Sequence, residues 1–337
     1  MHVALTIFGI ALLDFLHELG HYLAAKAFNM RVLRFSLGFG PALFTHRRGE
    51  TDWQVGALPL GGAVQVDGMG MREDDVVDDE RNYRNRPAWQ RAIVVAAGPA
   101  TNWLLAALFV AALGVTAGVS RPDGTATIGY IAEDSPASEA GFLEGDRIVA
   151  VDGENIQTWD DLVAAIQSRP DQSSEFDVVR DGESLRLNAT PKAGAQGGLL
   201  GIGPNNERVR YGALESIQAG VAYAWNGCGQ LFSLLGGMLT GTRDGELSGL
   251  PGIVRTVSAQ AKVGIDRLVQ TLAWLSVSLC VLNLVPIPGL DGGRLSFLLV
   301  EAIRGRPAPE RVEVTVNSVG VMLVLLLVVV ISIRDLL

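Results

Sequence analysis

The stretch LLDFLHELGHYLAA, residues 12–25, sets His17, Glu18 and His21 in a run otherwise apolar enough to enter a membrane. Ionisable groups at membrane depth are costly and mark functional sites. On a helix, positions i and i+4 share a face, so both imidazoles can reach one ion. The spacing is His-Glu-x-x-His, a zinc pattern. Zinc takes nitrogen ligands and, in catalytic sites, keeps one position for water. Glu18 follows His17 directly and can touch that water without being a ligand. It would take the water's proton as general base and pass it to a leaving amine. Bound to zinc, water ionises near pH 7, so hydroxide is available at neutral pH. Chance could place these residues on a soluble helix. Within a membrane span, unpaired His and Glu would cost several kcal/mol.

The rest of the chain fits that setting. It has 337 residues, 48% of them hydrophobic and 19% charged, with a mean hydropathy of +0.28. This suits a polytopic membrane protein carrying a soluble part. The net charge of −9 argues against nucleic acid as a partner. Cys228 and Cys280 form no CxxC, which leaves no disulfide framework and no cysteine zinc site. The N-terminus lacks the basic region and small-residue cleavage site of a signal peptide, so the first apolar segment is expected to be retained.

A membrane helix needs about 20 mostly apolar residues. Four segments qualify: 1–28, 90–119, 264–293 and 314–337. The intervening 29–89 carries eight arginines, and 294–313 carries Arg304, Arg306 and Arg311. Positive charge marks both as cytoplasmic. The long segment 120–263 then lies outside. The acidic run 72–80 reads as a solvated loop. Within 196–263, residues 213–241 are apolar but broken by glycines. They are expected to lie as an amphipathic helix at the outer interface. A fifth span there would invert the third.

Two histidines need a third ligand. His46, Glu50, Asp52 and Asp67 lie near in sequence, but in a loop that must leave the helix. Asp291, in VLNLVPIPGLDGG (281–293), closes the third span directly after an apolar run. The first and third spans run in the same direction, so Asp291 and His21 can meet on the cytoplasmic side. Pro286 and Pro288 break the helix there, which is tolerated at membrane depth where the backbone is buried in protein or lines a watery cavity. Between the spans, SPASEAGFLEGDRIVAVDG (135–153) closely resembles the bacterial PDZ signature. Strands at Ile128–Ile131 and Arg147–Val151, a helix over Trp159–Gln167 and a hairpin through Asp181-Gly182 complete a small β-rich domain over 120–195. Such a domain either binds an extended peptide by β-augmentation or serves as a plug or spacer.

Together, HExxH in a first span, a PDZ insertion and NxxPxPxLDG in a late span resemble the site-2 protease family of intramembrane zinc metalloproteases (peptidase M50). The nearest likeness is to the bacterial regulator-of-sigma-E branch. The resemblance covers essentially the whole chain. It implies one zinc per chain held by His17, His21 and Asp291, with Glu18 as catalytic acid and base. The implied reaction is cleavage of a single-span substrate such as an anti-sigma factor, in the bacterial inner membrane. The PDZ domain would be extracytoplasmic and could take a peptide or C-terminal ligand, with the active site toward the cytoplasm. GPATNW (98–103) matches a family element that brings Asn102 to the site, and Asn283 belongs to the LDG motif. Both are expected to contact substrate, since a neutral amide can donate to a developing oxyanion. Residues 31–66 alternate like β-hairpins. The family places a re-entrant β element there, with Gly38, Phe39 and Gly40 as its substrate-binding G-x-G, and its edge would pair with an unwound substrate. The familiar relatives carry two PDZ domains and this chain has room for one, so the segment 205–263, with SGLPGIV (248–254), is read as a membrane-lying lid or clamp instead.

The expected fold is therefore a polytopic α-helical membrane protein with about four transmembrane helices, a membrane-associated β-hairpin element and an inserted PDZ domain. The competing reading is a non-catalytic scaffold that binds envelope proteins through the PDZ domain. A metal transporter would need polar residues on more spans.

Overall fold

The computed structural model describes residues 2–69, 80–194, 197–241 and 249–335. The acidic run 72–80 therefore lies outside them apart from Glu80, as does Ser248 of the 248–254 segment. The chain opens with α1 (His2–Ala27), β1 (Val32–Arg48), β2 (Thr51–Val66) and α2 (Ala88–Thr116). A second compact unit, centred on residues 116–211, holds β3 (Val119–Pro122), β4 (Ile128–Ile131), α3 (Pro136–Ala140), β5 (Arg147–Val151), β6 (Glu154–Asn155) and α4 (Trp159–Gln167). It continues through β7 (Ser174–Arg180), β8 (Glu183–Ala189), β9 (Lys192–Gly194), β10 (Gly197–Leu199), β11 (Ile202–Pro204) and β12 (Asn206–Val209). The first unit resumes with α5 (Ala213–Leu239), α6 (Leu250–Val263), α7 (Ile265–Leu284), α8 (Asp291–Arg304) and α9 (Glu310–Arg334). Among the described residues, α1, α2, α7 and α9 are long and apolar enough to cross a membrane.

Strands β1 and β2 are long and bent. Phe35, Ser36 and Leu37 pair with Val64, Ala63 and Gly62 on one side and face Trp53, Gln54 and Val55 on the other. Phe44 to Arg48 then pair with Val55 back to Thr51. The far edge, Gly62–Val66, is left to face α1. Phe35 stacks on Trp53 with ring centroids 4.6 Å apart. A buried cluster including Ala25, Val32, Val66, Val94 and Leu298 seats this element among α1, α2 and α8.

Three features differ from the expectations or add to them. First, Asp291 does not close the third span. Helix α7 ends at Leu284 because Val285, before Pro286, is extended (ψ 137°). Asp291 instead opens α8, so the expected loop 294–313 begins as helix. Second, α5, expected at the interface and not among the four span-length apolar helices, packs against two of them. A Cβ on Gly220 would come within 2.1 Å of the Ala107 carbonyl, and one on Gly227 within 3.1 Å of Val277. Small residues let α5 run against α2 and α7 at backbone distance. Its opposite side exposes Leu214, Ile217, Val221, Trp225 and Phe232. Third, the PDZ domain does not stop at 195, because β11 pairs with β4.

That domain is built on the four-stranded order β6-β5-β7-β8 around Phe176, Ile148, Val178 and Leu162, all fully buried. Thr158 caps α4 in a capping box with Asp161. The turn between β7 and β8 uses Asp181 and Gly182 with φ of +51° and +87°, as a two-residue hairpin requires. Asp146 is fully buried beside Arg180, which donates to both its oxygens at 2.7 Å.

Candidate metal centre

Helices α1 and α2 meet where neither has a side chain to spare. A Cβ on Gly98 would fall 2.3 Å from His21 Nε2 and 2.7 Å from His17 Cε1; one on Gly20 would fall 2.3 Å from Thr101 Oγ1. The close approach puts the α2 backbone in reach of the imidazoles. His21 Nδ1 lies 2.8 Å from the Val94 carbonyl and donates to it. That fixes the tautomer and leaves Nε2 as a bare lone pair.

His17 is held from its other side. Asn102 is fully buried, and its Nδ2 lies 3.0 Å from His17 Nδ1, while its Oδ1 has no hydrogen-bond partner. Amide oxygen and nitrogen exchange by a half-turn. Turned so, the oxygen accepts from His17 Nδ1–H, and His17 Nε2 also becomes a lone pair. The Asn102 carbonyl accepts from Ser276 at 2.8 Å, which ties α7 to α2 at this level.

The two Nε2 atoms are 3.2 Å apart. Asp291 Oδ2 lies 3.2 Å from His17 Nε2 and 3.3 Å from His21 Nε2. With both Nδ1 atoms donating elsewhere, three electron-rich atoms converge with no proton among them. The arrangement fits a cation. Donors about 2.0 Å from a tetrahedral ion lie about 3.3 Å apart, the triangle seen here. Among the described residues this is the group of three that could hold a metal.

The other acids near in sequence are engaged elsewhere. Glu50 pairs with Arg81 and Lys26, and these, Arg81 first, draw its carboxyl down to about 2. Asp67 pairs with Arg31, and Asp52 lies beside Arg47. His46 lies in β1, outside the metal group.

Glu18 Oε2 accepts from the Val64 amide of β2 at 3.0 Å. The hairpin edge thus lies on the carboxylate that follows His17. At Gly62 the fit leaves room for nothing larger: a Cβ would come 2.9 Å from Glu18 Cγ and 3.0 Å from Asp14 Oδ2. Asp14 Oδ2 is buried without a hydrogen-bond partner.

Of the expected substrate contacts, Asn102 faces His17. Asn283 is half-buried in the last turn of α7, and its side chain forms no hydrogen bond among the described residues. Gly38 and Gly40 have φ of +80° and +87°. Phe39 pairs with Leu58 through the backbone, and its side chain lies outside the described residues. Sequence reasoning missed the Val94 carbonyl, Gly98, Ser276 and Asp14. The Val94 acceptor is backbone and carries no residue-type signal. Gly98 stood within the element that singled out Asn102.

The model of peptidase family M50 matches residues 5–327. A protein of Rhizobium meliloti (strain 1021), provisionally named a zinc metalloprotease, is 36% identical over 96% of this chain and 93% of its own length. The regulator of sigma-W protease RasP of Bacillus subtilis (strain 168) is 30% identical over 98% of this chain and 96% of its own. The solved PDZ domain of an SdrC-like protein from Listeria monocytogenes is 16% identical and covers 25% of this chain and 90% of that one, with a TM-score of 0.22. With the match running across helices, hairpin and PDZ insertion alike, this chain belongs to peptidase family M50 and is an intramembrane metalloprotease of the site-2 type.

Proposed function

We propose that the chain is a zinc endopeptidase that cuts the transmembrane segment of a single-span protein, an anti-sigma factor or one like it. The observation that carries this reading is the His17–His21–Asp291 triangle with Glu18 beside it. One zinc per chain would be held by those three side chains, with Val94 and Asn102 orienting the imidazoles. Asn102 is assigned to His17 rather than to substrate. Bound there, zinc would supply an acidified water and polarise the scissile carbonyl. Glu18 takes a proton from that water and returns it to the departing amine.

A helical substrate hides its peptide bonds within its own hydrogen bonds. The β1–β2 element would offer a strand edge with replacement partners to an unwound strand. The Val64 amide already donates to Glu18, so a strand on this edge would lie beside the base. The arginines of the hairpin segment support a cytoplasmic-facing site, an extracytoplasmic PDZ domain and residence in a bacterial inner membrane. The relative RasP is named for sigma-W regulation, which supports a substrate of the anti-sigma type.

The test is co-expression in a membrane with a tagged single-span substrate lacking its outer domain. Wild type should release a shorter tagged product, and Glu18→Gln should release at least about 10³-fold less. A product of equal yield from Glu18→Gln would overturn the assignment of the base. A cellular effect that survives Glu18→Gln with no cleavage would favour the scaffold.

A further inference from the structure

Beside the metal group lies a pocket of about 380 Å³ that the reaction as described leaves unused. Its walls include Arg34 of β1, Arg294 of α8, Gln54, Gln65 and the Ser36 hydroxyl, and no carboxylate lines it. Several neighbouring guanidinium groups are paired: Arg81 with Glu50, Arg91 with Glu301, Arg84 with Glu310 and Glu313. Among the described residues, Arg34 and Arg294 have no acidic partner, and Arg34 Nε is buried with no hydrogen-bond partner at all. Half-buried, unpaired guanidinium groups are expensive, and their planar fork suits a carboxylate or phosphate.

The pocket adjoins the chemistry. Val64 lines it and also donates its amide to Glu18. Arg294 sits in the first turn of α8, three residues after Asp291. Hydrolysis at this site adds the water oxygen to the scissile carbonyl carbon and breaks the C–N bond. Both water protons end on the nitrogen, which leaves as an ammonium group. The other fragment keeps a new carboxylate, itself a good ligand for the same cation. We propose that Arg34 and Arg294 form a product subsite that receives the α-carboxylate created by each cleavage and draws it off the metal group. This rests on the protease reading above. A peptide carboxylate is favoured over a lipid phosphate because strand residues 63–65 line the pocket, Val64 among them also contacts Glu18, and Gln54 and Gln65 can meet a peptide backbone.

The experiment uses the purified zinc-loaded full chain in neutral detergent and two probes: dansyl-Leu-Ala-Leu-Ala with a free C-terminal carboxylate, and its C-terminal amide. Fluorescence anisotropy gives both affinities. Wild type should prefer the acid, and Arg34→Gln with Arg294→Gln should lose about tenfold or more of that preference. The Arg34→Lys, Arg294→Lys variant should keep part of it, which separates lost charge from lost fold. Equal binding of the two probes to wild type, or an unchanged preference in the double glutamine variant, would overturn the proposal. So would loss of the preference on adding phosphatidylglycerol but not phosphatidylcholine, which would reassign the pocket to a lipid phosphate. Binding needs no turnover, and Glu18→Gln should keep the preference, so failure here is distinct from failure of the cleavage assay.

Discussion

Gly98 has no side chain, and the metal group depends on that. An added methyl would overlap both imidazoles, so Gly98→Ala should force His17 and His21 apart. We expect zinc content of the purified protein to fall well below one per chain, with helix content unchanged by circular dichroism. Asn102→Ala acts more gently. It leaves the ligands in place and removes the partner of His17 Nδ1. Second-layer partners of this kind are worth about 10–100-fold in metal affinity, so a chelator competition should show a loss in that range. Asn102→Asp, which still accepts from Nδ1–H, should recover most of it. The imidazoles and Glu18 could be picked out from residue type because ionisable groups are conspicuous in an apolar run. The groups that aim them could not: a carbonyl at Val94 and a missing methyl at Gly98 look like ordinary helix.

At the scale of elements, the helices were the easiest to read and their ends the hardest. The apolar runs for α1, α2 and α9 are continuous, and their composition alone marks them as spans. The third span was carried to 293 because its apolar composition continues to Leu290, although Pro286 and Pro288 were legible as a break; the helix itself ends at Leu284. The doubled pairing of Phe35–Leu37 was illegible, since period-two alternation says which face a residue takes but not how many neighbours its strand has. The packing of α5 was illegible because its glycines read as breaks, whereas they serve as contact surface. Trp225 is 73% exposed on the face away from α2 and α7. If that face meets acyl chains, bromines deep in the lipid tails should quench the fluorescence component that is lost in Trp225→Phe. Quenching by shallow bromines alone would return α5 to the interface.

At the scale of the whole molecule, the PDZ unit has its own stability and its own response to acid. Burial pushes the Asp146 carboxyl up, but the Arg180 guanidinium and the Leu143 amide more than offset this, so its pKa lies below the ordinary carboxylate value. A depressed folded-state pKa contributes stability that is present above the unfolded pKa and lost as pH falls through the folded one. The full chain should therefore show a melting transition for this unit that drops below about pH 4. In Asp146→Asn the transition should already be lower at neutral pH, because Arg180 and the Leu143 amide lose their charged acceptor. A transition unmoved by that substitution would show that the pair contributes nothing net.

The ligands are also far apart along the chain. His17, Glu18 and His21 leave the ribosome early, while Asp291 follows about 270 residues later. At 5–20 residues per second this is a delay of roughly 15–50 s. During that interval the nascent protein owns a base and two imidazoles but not the carboxylate that completes the triangle. Synthesis order thus acts as a timer: the His17–His21–Asp291 triangle can close only after the PDZ unit and α7 have been made, so an unfinished chain lacks it.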